Sequence, residues 1–331
     1  MSRISGIPRR ALLAILFMGV LGVVLSVPAF SYLPMFTRGQ GAAHQDHWDF
    51  NAFPVTWSLN STTHANISGT RSVGDVIQAS FATWQAAPNA SISVSPGPAS
   101  TLTAAGFDGV NLICFVCAGD FSTNADTLAV TLTTSSDVPG QNTKHGGTST
   151  FTGQLIDADI LFNPNTQFTT GGGSAQDLQT IATHEIGHFF GLDHSPVVRA
   201  VMYPFAPNSL ITLGSDDVAG LSLLYPKTTQ DLPTGIVSGT VRFTSGGGVF
   251  GAHVFADSST NSASFGGNVR KTPISSLTNP DGTYSISGLP IDSYVITAEP
   301  LDQPVDDSNI SGFASAFAQS AVQTNFNTRW H

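Results

Sequence analysis

The chain has 331 residues, enough for about two typical domains, each with ample sequence for a packed core. Its 12 Lys and Arg stand against 22 Asp and Glu, for a formal net charge of −10, and there is no basic run beyond the N-terminus. Phosphate contacts need clustered Lys and Arg, so these numbers argue against a nucleic-acid partner.

The N-terminus reads as a targeting segment. Arg3, Arg9 and Arg10 precede an apolar stretch from Ala11 to Val27, and Val27-Pro28-Ala29 supplies small residues suited to cleavage after Ala29. Residues 1–29 are therefore read as a signal peptide. The stretch also reaches the lower length limit for a membrane span, so an uncleaved N-terminal anchor is the alternative. Either way the protein faces the outside of the cell, and this anchor is its only expected membrane contact. Residues 30–48 form a short N-terminal segment in which His44 and His47 flank Asp46. It reads as a tail or a short inhibitory segment, and neither those histidines nor His64, His145 and His253 show ligand spacing with partners.

A first domain spans residues 49–227. Phe53 to Leu59 reads as its first strand. Ser72 is placed to cap a helix whose Val73, Val76, Ile77, Phe81 and Trp84 share one stripe, ended by Pro88. Residues 109–116 and 127–133 read as strands. Cys114 and Cys117 lie three apart. In an exported chain they are read as a local disulfide, the rival being a redox motif that lacks a thioredoxin-like surround. Asp157 and Asp159 alternate onto one face of the next strand. Two aspartates are few for a hard-cation cage, so they are read as solvated or hydrogen-bonded, with Ca²⁺ as the alternative. Gly171-Gly172-Gly173 leads into a helix whose cap is expected at Ser174, paired with Asp177, and whose Leu178, Ile181 and Ala182 face the sheet.

That helix carries His184-Glu185-Ile186-Gly187-His188, continued by Gly191 and His194. Histidines four apart on a helix share a face, so His184 and His188 can grip one ion. Gly191 can adopt a left-handed backbone, end the helix and bring His194 in as third ligand. A fourth tetrahedral position is then left for water, which separates a catalytic Zn²⁺ site from a closed structural one. Glu185 sits where its carboxylate reaches that water without ligating the metal, as a general base. Downstream, Ala200-Val201-Met202-Tyr203-Pro204 is a methionine turn, in which Met202 would form an apolar floor beneath the metal. A last helix begins at Ser215 and buries Val218, Leu221 and Leu224. Its Asp216 and Asp217 sit at the N-terminus, where negative charge is favourable.

This extended pattern is the metzincin signature. Together with His194-Ser195, Met202-Tyr203-Pro204, Leu213 to Leu221 with its Asp-Asp pair, and Leu224-Tyr225, it resembles the matrixin (matrix metalloproteinase) branch. The resemblance covers about residues 49–227 and is specific after Thr180. It implies an α+β domain with a twisted mixed sheet, an active-site helix and a C-terminal helix that Asp216 and Asp217 also tie to other parts of the domain. It further implies a secreted zinc endopeptidase acting on protein or peptide substrates laid along the sheet edge. Neither a cysteine-switch propeptide nor the family's histidine-rich second-zinc segment is recognisable.

Residues 228–235 form a polar linker with Pro and Gly. Beyond it the period becomes two. Val237, Val241 and Phe243 make one strand, Ala252, Val254 and Ala256 another. After the Asn279-Pro280-Asp281-Gly282 turn come Tyr284 and Ile286, then Tyr294, Ile296 and Ala298. Residues 236–331 are therefore expected to form a small all-β sandwich. Gly239-Thr240-Val241, Gly251 to Val254, Asp281 to Tyr284 and Gly288-Leu289-Pro290 resemble carboxypeptidase regulatory-like domains. The polar chain beyond 301 leaves open whether the sandwich is complete. Two alternatives to general proteolysis remain: a surface binding or scaffold protein whose sandwich is the working part, and a protease that processes only itself. Oligomeric state is not legible.

Overall fold

The computed structural model describes residues 34–62, 66–117, 121, 127–171, 175–205, 209–310 and 312–331. The targeting segment 1–29, His64 and Ser174 lie outside the described residues. A hairpin of β1 (Phe36–Gly39) and β2 (Ala42–Gln45) opens the chain. There follow β3 (Val55–Leu59), the short β4 (Ile67–Ser68), α1 (Val73–Gln85), β5 (Val94–Pro96), β6 (Asn111–Cys114), β7 (Ala129–Ser135) and β8 (Leu155–Phe162). The short β9 (Phe168–Thr169) and β10 (Gln176–Asp177) then lead into α2 (Leu178–Phe189), and α3 (Ser215–Leu224) closes this part.

Five strands form a mixed sheet in the order β5-β3-β6-β8-β7, parallel except for the antiparallel edge strand β7. All eight residues of β8 are buried, as expected for a strand covered on both faces. Ala158, Ile160 and Phe162 join the main core with α1 and α2. Asp157, Asp159 and Leu161 face the other way, under the loop before β6 and the Cys114–Cys117 disulfide (Cα–Cα 5.6 Å). The two aspartates are hydrogen-bonded there rather than solvated. Asp159 accepts from the amides of Gly106 (2.8 Å) and Leu112 (2.7 Å), and Asp157 accepts from that of Gly109 (3.3 Å).

Ser72 caps α1 by accepting from the Asp75 amide at 3.0 Å. The cap of α2 is Asp177, not Ser174: its carboxylate accepts from the Thr180 amide (2.9 Å) and hydroxyl (2.7 Å). The displacement has a physical cause, since β10 pairs Gln176 and Asp177 with Phe168 and Thr169 and keeps the chain extended up to the cap. Every residue of α2 except Gln179 is buried, so the helix runs through the core rather than along it. Its last carbonyls are satisfied from outside. The Trp48 indole donates to Phe189 O (2.8 Å), and the Tyr225 hydroxyl donates to Phe190 O (2.7 Å).

The C-terminal part holds β11 (Thr234–Thr240), β12 (His253–Ser258), β13 (Ile274–Leu277), β14 (Thr283–Pro290), β15 (Tyr294–Glu299) and β16 (Arg329–Trp330), with α4 (Phe313–Ala316) before β16. They make two antiparallel sheets, β11-β14 and β13-β12-β15-β16. Three features depart from expectation. Strand β11 ends at Thr240, so Val241 and Phe243 lie beyond it. Strand β13 escapes a period-two reading because all four of its residues, Ile-Ser-Ser-Leu, are buried. The chain beyond 301 is not merely polar: Leu301, Val305, Ile310, Phe313 and Ala314 form a second core with Tyr203 and Phe250. The main core itself is continuous across the linker and takes in Val254, Ala256, Ile286 and Leu289.

Two predictions follow from this packing. A glycine inside a helix costs about 1 kcal/mol relative to Ala, yet a Cβ on Gly187 would lie 2.2 Å from Met202 Sδ and 2.8 Å from the Trp84 ring. Overpacking of about 1–3 kcal/mol outweighs the gain in propensity, so Gly187→Ala should lower the urea midpoint at unchanged slope. Burial, with Asp159 beside it, pushes the Asp157 carboxyl up to about 8. A carboxyl whose folded pKa is raised contributes stability that is full below the unfolded value and lost as pH rises through the folded one. The thermal midpoint of Asp157→Asn should therefore fall less than that of wild type between pH 6 and 9; equal falls would refute the assignment.

Candidate metal centre

The ligand nitrogens of His184, His188 and His194 lie within 4.8 Å of one another, the one such group of His, Cys, Asp and Glu among the described residues. His184 and His188 come from successive turns of α2. The helix ends in a paired C-terminal motif, with Gly191 N bonded to His188 O (2.8 Å) and Leu192 N to Gly187 O (3.1 Å). Gly191 has φ +89°, and a Cβ there would lie 2.1 Å from the Asp46 carbonyl. That turn delivers His194 to the same point.

Each imidazole is held by the same device. Nδ1 of His184 contacts Val201 O at 2.7 Å, that of His188 contacts Leu192 O at 2.7 Å, and that of His194 contacts Asn309 O at 2.5 Å. A carbonyl can only accept, so each Nδ1 carries the proton and each Nε2 keeps its lone pair for a ligand. Burial lowers all three pKa values, that of His184 to about 3 and that of His188 well below the ordinary range, with the neighbouring imidazoles adding to the effect at both. Three neutral nitrogen donors converging from one side fit a zinc ion with an open position.

Glu185 lies beside this trio on α2 and is buried. The Thr131 hydroxyl, from edge strand β7, donates to its Oε2 at 2.7 Å and approaches its main-chain oxygen at 3.1 Å. Burial pushes the Glu185 carboxyl up to about 7, and the Thr131 bond pulls it back down. Met202 is fully buried against Gly187, beneath the helix face that carries the histidines.

The Asp-Asp pair of α3 does more than complement a helix dipole. Asp217 accepts from the amides of Val201 (2.8 Å), Met202 (3.1 Å) and Gly214 (2.7 Å), so it clamps the turn whose carbonyl orients His184. Asp216 accepts from the Ser195 hydroxyl on one oxygen and from the Ser275 amide (2.8 Å) on the other. Burial raises both, Asp216 to about 8 and Asp217 to about 6, against the pull of these donors. Thr131, Ser275 and Asn309 carried no signal in the sequence, because their partners are 54 to 115 residues away. His44 and His47 take no part. The first bonds Gly39 O; the second bonds Trp48 O and stacks on Phe151 at 4.5 Å.

Among the described residues no helix is long and apolar enough to cross a membrane. The matrixin family model matches residues 134–226. The chain is 48% identical over 54 residues to metalloendoproteinase 1 of Glycine max, covering 16% of this chain and 18% of that protein. It is 48% identical over 83 residues to metalloendoproteinase 1-MMP of Arabidopsis thaliana, covering 22% and 23%. It is 35% identical over 97 residues to matrilysin of Rattus norvegicus, covering 28% and 35%. The chain thus spans about a third or less of the length of these relatives. Over residues 134–226 the chain is similar to the matrixins, and its mixed sheet and three-histidine cluster fit a matrixin-like metzincin domain.

Proposed function

We propose that this chain is an exported zinc endopeptidase. The observation that carries the reading is the convergence of three histidine ligand nitrogens beside a buried glutamate that is not one of the three. When bound, Zn²⁺ supplies a Lewis acid that acidifies water and polarises a scissile carbonyl. His184, His188 and His194 hold it as neutral donors. Glu185 takes the proton of the attacking water and passes it to the leaving amine, a role suited to a carboxyl tuned near neutrality. Thr131 fixes the rotamer of that carboxylate.

Strand β7 ends the five-stranded sheet and sits against α2 through Thr131, with Leu132 half exposed. An extended protein or peptide segment is expected to add to that edge by main-chain hydrogen bonds. Export is supported by the signal-like pattern of residues 1–29 and by the Cys114–Cys117 disulfide, which persists in oxidising compartments. Calcium is no part of the proposal, since Asp157 and Asp159 already accept backbone amides.

The test is cleavage of unfolded casein by the zinc-loaded chain. Wild type should cut it, stop on chelation and recover with zinc. Glu185→Ala should keep its zinc and lose about 10²–10⁴-fold in turnover. Thr131→Val should keep zinc and KM while losing about tenfold in kcat, the worth of one hydrogen bond to a charged group. Undiminished turnover by Glu185→Ala would sink the mechanism. A single cut in its own chain, with casein intact, would favour the self-processing alternative.

A further inference from the structure

Two of the three carbonyls that orient the histidines belong to the metal domain itself, those of Val201 and Leu192. The third does not. Asn309 is 115 residues from His194, in the segment between β15 and β16 of the C-terminal part. We propose that the C-terminal module is a working part of the metal centre, whose Asn309 carbonyl positions the third ligand. This rests on the zinc reading of His184, His188 and His194.

Three independent sets of contacts support it. The Asn309 carbonyl is presented by a built turn: Asp306 accepts from the Ser308 amide (2.9 Å) and hydroxyl (2.6 Å), and its own amide bonds Asn309 Oδ1 (3.0 Å). Ile310, directly after it, is buried in the core that contains Tyr203 of the methionine turn. The loop that follows His194 is held from the module as well. Arg270 donates to Thr212 O through Nε (2.9 Å) and Nη2 (2.5 Å) and to Arg199 O through Nη1, while Ser275 and Ser195 share Asp216. Finally, the N-terminal hairpin clasps the same segment: Phe36 packs on Phe313 and Phe317, and Arg38 reaches Ala316 O at 3.4 Å. The N-terminal hairpin therefore packs on the segment that carries the Asn309 carbonyl to His194. A module that merely filled space would owe no hydrogen bond to a metal ligand.

Partners that orient metal-ligating histidines are typically worth about 10–100-fold in metal affinity. The experiment is zinc transfer from the full-length, zinc-loaded chain to a chelating dye. Asp306→Ala dissolves the turn and should release zinc about tenfold faster or more. Asp281→Ala removes the comparable acceptor of Thr283, in a turn elsewhere in the module, and should release zinc at the wild-type rate. Equal rates for wild type and a folded Asp306→Ala overturn the inference. Should that variant fail to fold, nitrogen-15 NMR of the histidines in zinc-loaded wild type decides. Slow solvent exchange of all three Nδ1 protons supports the inference, and fast exchange at His194 alone overturns it. A wild-type chain that binds no zinc overturns the zinc reading and this one together.

Discussion

Three backbone carbonyls, of Leu192, Val201 and Asn309, set how the three converging histidine rings are turned. Histidine is symmetrical enough to bind through either nitrogen, and four residues of helical spacing bring two rings together without saying which atoms meet. Pinning each Nδ1 to an acceptor that cannot give up a proton removes that ambiguity. Each carbonyl is in turn held by something else. Leu192 sits in a bridge with Pro34, Val201 hangs from the Asp217 carboxylate, and Asn309 belongs to the Asp306 turn. The centre is thus supported by the N-terminal segment, the last helix of the metal domain and the C-terminal module at once.

The same dependence explains why α2 is so deeply enclosed. A helix buried almost all round leaves its histidines, its glutamate and its end carbonyls short of water. Neutral imidazoles meet the first demand, Thr131 the second, Trp48 and Tyr225 the third. Close approach of Met202 and Trp84 to Gly187 then fixes the helix against the methionine turn to within an atom's width.

How much of this was legible beforehand depends on sequence distance. His184, Glu185, His188, Gly191, His194 and Met202 lie within nineteen residues, so their spacing alone brought the centre into view. Helix α1 was equally plain, because its apolar stripe and its Ser72 cap are local. The start of α2 was misplaced because the short pairing of β10 outlasts the glycine run. Strand β13 was hidden by a burial pattern without alternation. What the sequence could not reveal is the joint between the two parts. Asp216 looked like a dipole partner, and its bond to Ser275 exists only once the sandwich has folded against α3. Asn309 offers a main-chain atom, which no residue type announces.

The most direct test of the account is zinc K-edge X-ray absorption on the purified, metal-loaded chain at one ion per molecule. Three imidazole nitrogens and one further light atom, at about 2.0–2.1 Å in a four-coordinate shell, are the predicted result. A sulfur shell, a six-coordinate oxygen environment, or fewer than three imidazoles would contradict it.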